Sequence, residues 1–299
     1  MFSKPHKKLL LPIALLLALM PAACCQQVAE PDYTADSIRF AAAEWRTDSL
    51  DGFVLRRYHF GHAQLFGTAQ NMSLIEIPKG SPRRLHFVCD TAPAPVSQLA
   101  GAFSGLAAVN GSYFDMERGN PICYLRIDGL QLGENIPNAG DSLNRKYYQH
   151  AALVLADGLP RILLPDSNRL WEDSLPHADV MTAGPMLIRH GQLVPQRTDR
   201  TFVTKRHNRT ALGLRPDGTV LLLTVDGRSR RRSEGLSLDE LEHVMRWLGC
   251  REAINLDGGG STTMYVQGFP HNGVVNYPSD NNRFDHEGER PVANAIVVR

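Results

Sequence analysis

Short apolar runs separated by Asp-Gly or a similar pair recur along most of this chain. The stretches CYLRIDGLQL, ALVLADGLPRILL, MLIRHGQLV and LGLRPDGTVLLLTVDG each set two apolar segments on either side of a turn. A glycine after Asp or His supplies the positive φ that hairpin turns demand, so each stretch is predicted to be a β-hairpin. Hairpins of this kind favour antiparallel or mixed sheets over a doubly wound parallel sheet. Helical periodicity is rarer. In GLSLDELEHVMRWLGC, Ser237 and Glu240 make a capping box, and Leu238, Leu241, Val244, Met245 and Leu248 repeat at helical spacing before Gly249 ends the run. A second helix is predicted near APVSQLAGAF. The fold class that follows is α+β, with a mixed, largely antiparallel β-sheet core and packed helices.

The amino terminus reads differently. Lys4, Lys7 and Lys8 precede an apolar run from Leu9 to Met20, and small residues follow at Ala22 and Ala23. That is the form of a secretory signal, and the run is shorter than the roughly 20 apolar residues a membrane span needs. Cys24 and Cys25 directly after small residues resemble a lipoprotein cleavage box, although Pro21 is unusual in that place. Residues 1–25 are therefore read as a signal, with a lipid on Cys24 or Cys25 attaching the protein to the membrane. The expected location is the bacterial envelope after export across the inner membrane, with free periplasmic secretion as the second reading. Residues 26–37 are expected to be a polar tether.

With 299 residues, the chain is long enough for one large domain or two small ones. Residues 38–106 are expected to be the amino-terminal part of the β-rich domain or a small subdomain, and residues 107–299 the domain that carries the chemistry. A formal net charge of +1 argues against a nucleic-acid partner. Cys89, Cys123 and Cys250 match no zinc or redox spacing, so they are read as small buried hydrophobes.

Candidate chemistry lies at predicted strand ends. AVNGSYFD places Asn110 and Asp115 there, HNRTALGL places Arg209, VDGRSRRR places Asp226 and Arg228, and AINLDGGGSTTMYV places Asn255 and Asp257 before Gly258, Gly259, Gly260, Ser261 and Thr262. A lone Asp-Gly needs no explanation beyond a turn. Three successive glycines followed by hydroxyl residues exceed what any common turn requires, and they point to a loop that accommodates an anion or a sugar. No Lys follows them as a phosphate-binding P-loop requires, and Ser261 has no glycine two residues on to form a nucleophile elbow. Arg209, Arg228 and Arg290 offer guanidinium forks suited to phosphate oxygens. Together with Asp115, Asp226 and Asp257 they would make a site for an anionic, hydroxyl-rich ligand such as a sugar phosphate. No cofactor is required on this reading. The three acids could hold a divalent cation such as Ca²⁺ only if further oxygens joined them, since such sites use six or more.

In order along the chain, VNGSYFD, TAGPMLIRHGQ, NRTALGLRPDG, VDGRSRRRSEGLSLDELEHVMRWLGCREAINLDGGGSTTMYV and ERPVANAIVV resemble the phosphodiester glycosidase family, from about Ala107 onward. Ser112 departs from the pattern, standing where a second glycine is frequent. The resemblance implies a hydrolase that cleaves the bond between a sugar's anomeric carbon and a phosphodiester oxygen, acting on a sugar-phosphate-containing glycan. It implies Asp257 as nucleophile or base, with Asp226 second. It also implies Arg209, Arg228 and Arg290 as a phosphate clamp, and Asn110, Asn255, Ser261 and Thr262 as partners of sugar hydroxyls or the oxyanion. Competing readings are a glycan-binding lipoprotein without catalysis and a phosphodiesterase that breaks the P–O bond.

Overall fold

A computed structural model of the chain describes Met1 and residues 32–136, 146–166, 171–196 and 200–299. The expected signal, Cys24, Cys25 and the tether through residue 31 lie outside the described residues. A helix, Thr34–Ala41, begins within the last residues of the expected tether. From Tyr33 onward the chain is one compact unit.

Three sheets make up the core, and every described strand pairing is antiparallel, within the α+β class expected. The largest runs in the order Arg46–Leu50, Phe53–Leu65, Thr68–Ile77, Val220–Val225, Arg209–Leu214, Glu252–Asn255, Met186–Arg189, Gln192–Leu193. A four-stranded sheet has the order Met264–Val266, Ala107–Asn110, Val292–Val298, Leu85–Ala94. A five-stranded sheet has the order Leu130–Gly133, Leu125–Ile127, Asp179–Ala183, Ala151–Ala156, Leu159–Leu163. The segment from Phe40 to Phe87 is thus divided. Three of its strands form one side of the large sheet, and Leu85–Ala94 joins the four-stranded sheet.

All four expected hairpins are present. At Asp157-Gly158 both turn residues take positive φ (52° and 72°), the two-residue turn whose twist matches the flanking strands. The helix Leu238–Trp247 carries the full capping box, with Ser237 Oγ accepting from Glu240 N and Glu240 Oε2 accepting from Ser237 N. Its apolar stripe (Leu238, Leu241, Val244, Met245) packs on Ala211, Leu221 and Leu223 of the large sheet. On the other face of that sheet, Leu212, Leu222 and Ile254 pack against Phe87, Val109 and Ile296 of the four-stranded sheet and Leu153 and Met181 of the five-stranded one. Burial on both faces explains why VLLLTV is apolar at every position but Thr224 instead of alternating. Cys123 and Cys250 are buried free thiols and Cys89 is half-buried. Among the described residues no helix is long and apolar enough to cross a membrane.

This topology gathers the polar strand ends. Arg209 opposes Val225, and Ala211 opposes Asn255, so the start of one strand and the ends of two others lie side by side. Asn110 ends a strand of the adjoining sheet, opposite Ala295.

Candidate active site

The loop after Asn255 is held by main-chain groups on both flanks. Leu256 N donates to Thr210 O (2.8 Å) and Gly259 N to Asn208 O (2.9 Å), while Asp257 N donates to Gly111 O (3.1 Å). Asn110 completes the clamp. Its Nδ2 donates to Asp257 O (2.7 Å), and its Oδ1 accepts from Thr210 Oγ1 and Thr263 N. The Asp257 backbone is therefore fixed from both sides, and the residue as a whole stays partly exposed. Oδ1 accepts from Gly258 N at 2.8 Å. Burial of the surrounding pocket pushes the carboxyl up to about 6, against the downward pull of the nearby Ser261 hydroxyl, the Gly258 N–H and the charge of Arg290.

The three glycines have separate steric reasons. A Cβ on Gly258 would lie 2.7 Å from Asn208 O. Gly259 takes φ +61°, and a Cβ there would lie 3.1 Å from Arg228 Nη2. A Cβ on Gly260 would run into Arg290 Nη2 and lie 2.6 Å from Asp280 Oδ1. The expectation was that the glycines admit a ligand directly. In the structure they admit one strand's backbone and two guanidinium groups, so the loop carries Arg228 and Arg290 across its surface.

The remaining expected residues divide by depth. Arg228 is exposed, takes φ +61°, and has no ion pair among the described residues. Arg209 is only 2% exposed. Its Nε donates to Leu236 O, and its Nη2 donates to Phe202 O and Lys205 O. The guanidinium carbon lies 5.2 Å from the Phe202 ring centroid. Burial pulls its pKa down to about 10, which leaves it charged at neutral pH, and Nη1 has no hydrogen-bond partner among the described residues. Asn255 is buried with Nδ2 directed at Tyr113 Oη, Gly184 O and Leu256 O. Ser261 and Thr262 are fully buried, and among the described residues their hydroxyls have no hydrogen bond of good geometry.

The two other acids have their carboxylates engaged by the protein itself. Asp226 is fully buried. Oδ2 accepts from Asn71 Nδ2 (2.7 Å), and Oδ1 accepts from Asn276 Nδ2 (2.9 Å) and Tyr277 N (3.0 Å). Burial nevertheless pushes its pKa up to about 6. Asn276 also donates to Thr262 O, so Asp226 ties the glycine loop to the segment that follows residue 275. Asp115 Oδ1 accepts from Glu117 N and Arg118 N and closes its own turn, which holds its carboxyl below the usual range. The structure therefore does not assemble Asp115, Asp226 and Asp257 as one set of ligands. Among the described residues no three His, Cys, Asp or Glu side chains are grouped for a metal ion.

Several residues of the site carry no signal in the sequence. Asn71, Asn276 and Asp280 sit in stretches without motif or periodicity. Tyr113 lies beside Asn255, and its phenol is held well above its ordinary pKa by burial and the nearby Asp257. His207 is half-buried, and burial together with Arg209, Lys205 and Arg228 pushes its pKa down to about 4, so the imidazole is neutral among cations.

Fold and site together define a β-rich protein in which a partly exposed acid at a sheet end opens a glycine loop crossed by two arginines. The sequence profile of the phosphodiester glycosidase (NAGPA) family matches residues 104–299. The chain belongs to that family. Its relatives include the bovine N-acetylglucosamine-1-phosphodiester alpha-N-acetylglucosaminidase, 28% identical over 200 residues, covering 62% of this chain and 35% of the relative. The human protein of the same name is 25% identical over 202 residues, covering 62% and 36%. A shorter match, 41% over 73 residues (24% of this chain, 11% of the other), links it to the SPbeta prophage-derived uncharacterized protein YomE of Bacillus subtilis. The chain thus spans about a third of the length of the two mammalian relatives. Among solved structures, the zebrafish enzyme's catalytic domain, auto-inhibited by its pro-peptide, has the same fold. Its TM-score is 0.63 at 19% identity, covering 89% of this chain and 93% of that one. A hypothetical protein from Synechocystis also shares the fold, with TM-score 0.56 at 16% identity, covering 85% and 63%.

Proposed function

We propose that this protein is a hydrolase that cleaves the glycosidic C–O bond of a sugar-1-phosphodiester, on a glycan of the bacterial envelope or its surroundings. The carrying observation is the Asp257 loop, in which a partly exposed acid with a raised pKa feels the charge of Arg290, and the guanidinium groups of Arg228 and Arg290 are seated over Gly259 and Gly260. The mammalian relatives' names make N-acetylglucosamine-1-phosphodiesters the first substrates to test. Export and a lipid on Cys24 or Cys25 belong to the same proposal.

Each residue's part follows from its chemistry. Asp257, ionised at neutral pH, either takes a proton from the water that attacks the anomeric carbon or gives its electron pair to that carbon, forming a glycosyl ester that water then hydrolyses to free sugar and the carboxylate. The C1–O bond breaks with its electrons passing to the phosphodiester oxygen, which leaves as a phosphate monoester. That leaving group is a weak base, so the reaction needs little general-acid help. Arg228 and Arg290 hold its charge, and Arg209 contributes from below through Nη1. Asn110 and Asn255 set the carboxylate's position. Asp226 fixes the surrounding loops and stays out of contact with the substrate.

The test is hydrolysis of a GlcNAc-1-phosphodiester in ¹⁸O-labelled water. The expected products are sugar carrying the label and unlabelled phosphate monoester. Label in the phosphate would show P–O cleavage, and intact ligand that only raises the melting temperature would show a binding protein without turnover.

A further inference from the structure

We infer that Asp280 is a positioning residue that fixes Arg290 over the glycine loop for phosphate recognition; this rests on the phosphodiester reading of the Asp257 site. Arg290 donates through both Nε (2.9 Å) and Nη2 to a single oxygen, Asp280 Oδ1. Two donors on one acceptor set the plane of the guanidinium, and they leave Nη1 and the second carboxylate oxygen without partners among the described residues. An ordinary surface ion pair contributes about 0–1 kcal/mol and needs nothing built around it. Here much is built around it.

Gly260 has no Cβ where the pair lies, and Asp280 sits in a segment braced at several points. Tyr277 N donates to buried Asp226, Ser279 Oγ to Asn208 Oδ1, and Asp280 N to Gly288 O. Gly288 lies against Pro278 O, where a side chain would collide. At the far end, Glu289, next to Arg290, accepts from Ser97 N and Ser97 Oγ at the start of the helix Val96–Ala102. Both partners of the pair are thus tied independently to the core. Their side chains remain open to solvent, Asp280 at 36% and Arg290 at 16%. An acid beside a phosphate site repels the ligand unless it serves another purpose. Aiming a guanidinium that also lies close enough to lower the pKa of Asp257 is that purpose.

The experiment uses the full chain and compares D280N, R290K and the double variant, with D280E and G260A as checks. Inorganic phosphate binding is measured by calorimetry, and kcat and KM on a GlcNAc-1-phosphodiester are measured in parallel. D280N is expected to weaken phosphate binding and raise KM by about tenfold each, with kcat within about twofold. D280E is expected to recover part of the loss. Because both single variants remove one arrangement, the double variant should be no worse than R290K alone.

Phosphate affinity unchanged in D280N, additive losses in the double variant, or wild-type protein that binds no phosphate would each overturn the inference. So would a kcat that falls as far as KM rises, since Asp280 would then touch the reacting atoms. G260A, which crowds the pair without altering its charges, should move KM in the same direction and checks the result should D280N fold poorly. Wild-type protein that binds phosphate but cleaves no sugar phosphodiester would sink the proposed function and leave the binding comparison to decide the role of Asp280.

Discussion

Replacing Asp257 by Asn is expected to lower kcat by about a thousandfold, with KM changed only a few fold. The substitution keeps the shape and the hydrogen bond from Gly258 N, and removes only the charge and basicity. Steady-state kinetics on a sugar-1-phosphodiester check it. A loss of less than tenfold would take the catalytic role away from Asp257. The same carboxylate sets the acid limb of the pH profile. Burial raises its pKa to about 6, so protonation silences it at a higher pH than an ordinary aspartate. Activity should rise with pH through that value, kcat/KM falling about tenfold per unit below it and levelling above it. Arg290 opposes the shift through its positive charge, so removing that charge in R290M should move the limb to higher pH.

Much of this arrangement was legible in the sequence wherever the determinants are local. Hairpins follow from the φ demanded by pairs such as Asp157-Gly158, and the helix at Leu238 from a capping box formed within four residues. Asp257 stood out because three glycines exceed what a turn needs. The purpose of those glycines was not legible. Each makes room for a group from a distant part of the chain: Asn208 O, Arg228 and the Asp280–Arg290 pair. The same limit hid the difference among the acids. Asp115, Asp226 and Asp257 all read as an acid near a strand end. Asp115 spends its carboxylate on the N–H groups of its own turn. Asp226 is enclosed by Asn71 and Asn276, residues 155 and 50 positions away along the chain. Asp257 combines partial exposure with a carboxyl raised by burial and set close to Arg290. The segment 38–106 reads either as part of the β-rich domain or as a subdomain for a related reason. Its strand Thr68–Ile77 is buried on both faces, which erases the alternation that would mark a sheet edge.

Replacing Asp226 by Ala is expected to destabilise the protein by about 3–5 kcal/mol, as removing one partner from a buried charged network does. Asn71 Nδ2, Asn276 Nδ2 and Tyr277 N would lose their acceptor together, Asn276 at a fully buried position. Denaturant unfolding at pH 7 measures the loss. Asp226→Asn separates charge from shape. It keeps the volume and one accepting oxygen, but sets an amide donor against Asn71 Nδ2, and it removes an ionised group whose burial raises its pKa to about 6. From an unfolded value near 3.9, that rise corresponds to about 3 kcal/mol against the ionised form at neutral pH. Because the folded-state pKa is the higher one, the proton's stabilising contribution is complete below about pH 4 and is lost as pH rises through about 6. Wild type should therefore gain stability relative to D226N on acidification from pH 7 to pH 5. A difference between the two proteins that is flat across that range would mean Asp226 does not titrate there. Activity carries the other half of the test. Since Tyr277 N rests on Asp226 and leads into the segment that bears Asp280 and Arg290, D226A should raise KM even at temperatures where it remains folded. D226N, if it folds as stably as wild type yet loses activity as completely as D257N, would place Asp226 in the chemistry itself and not beneath it.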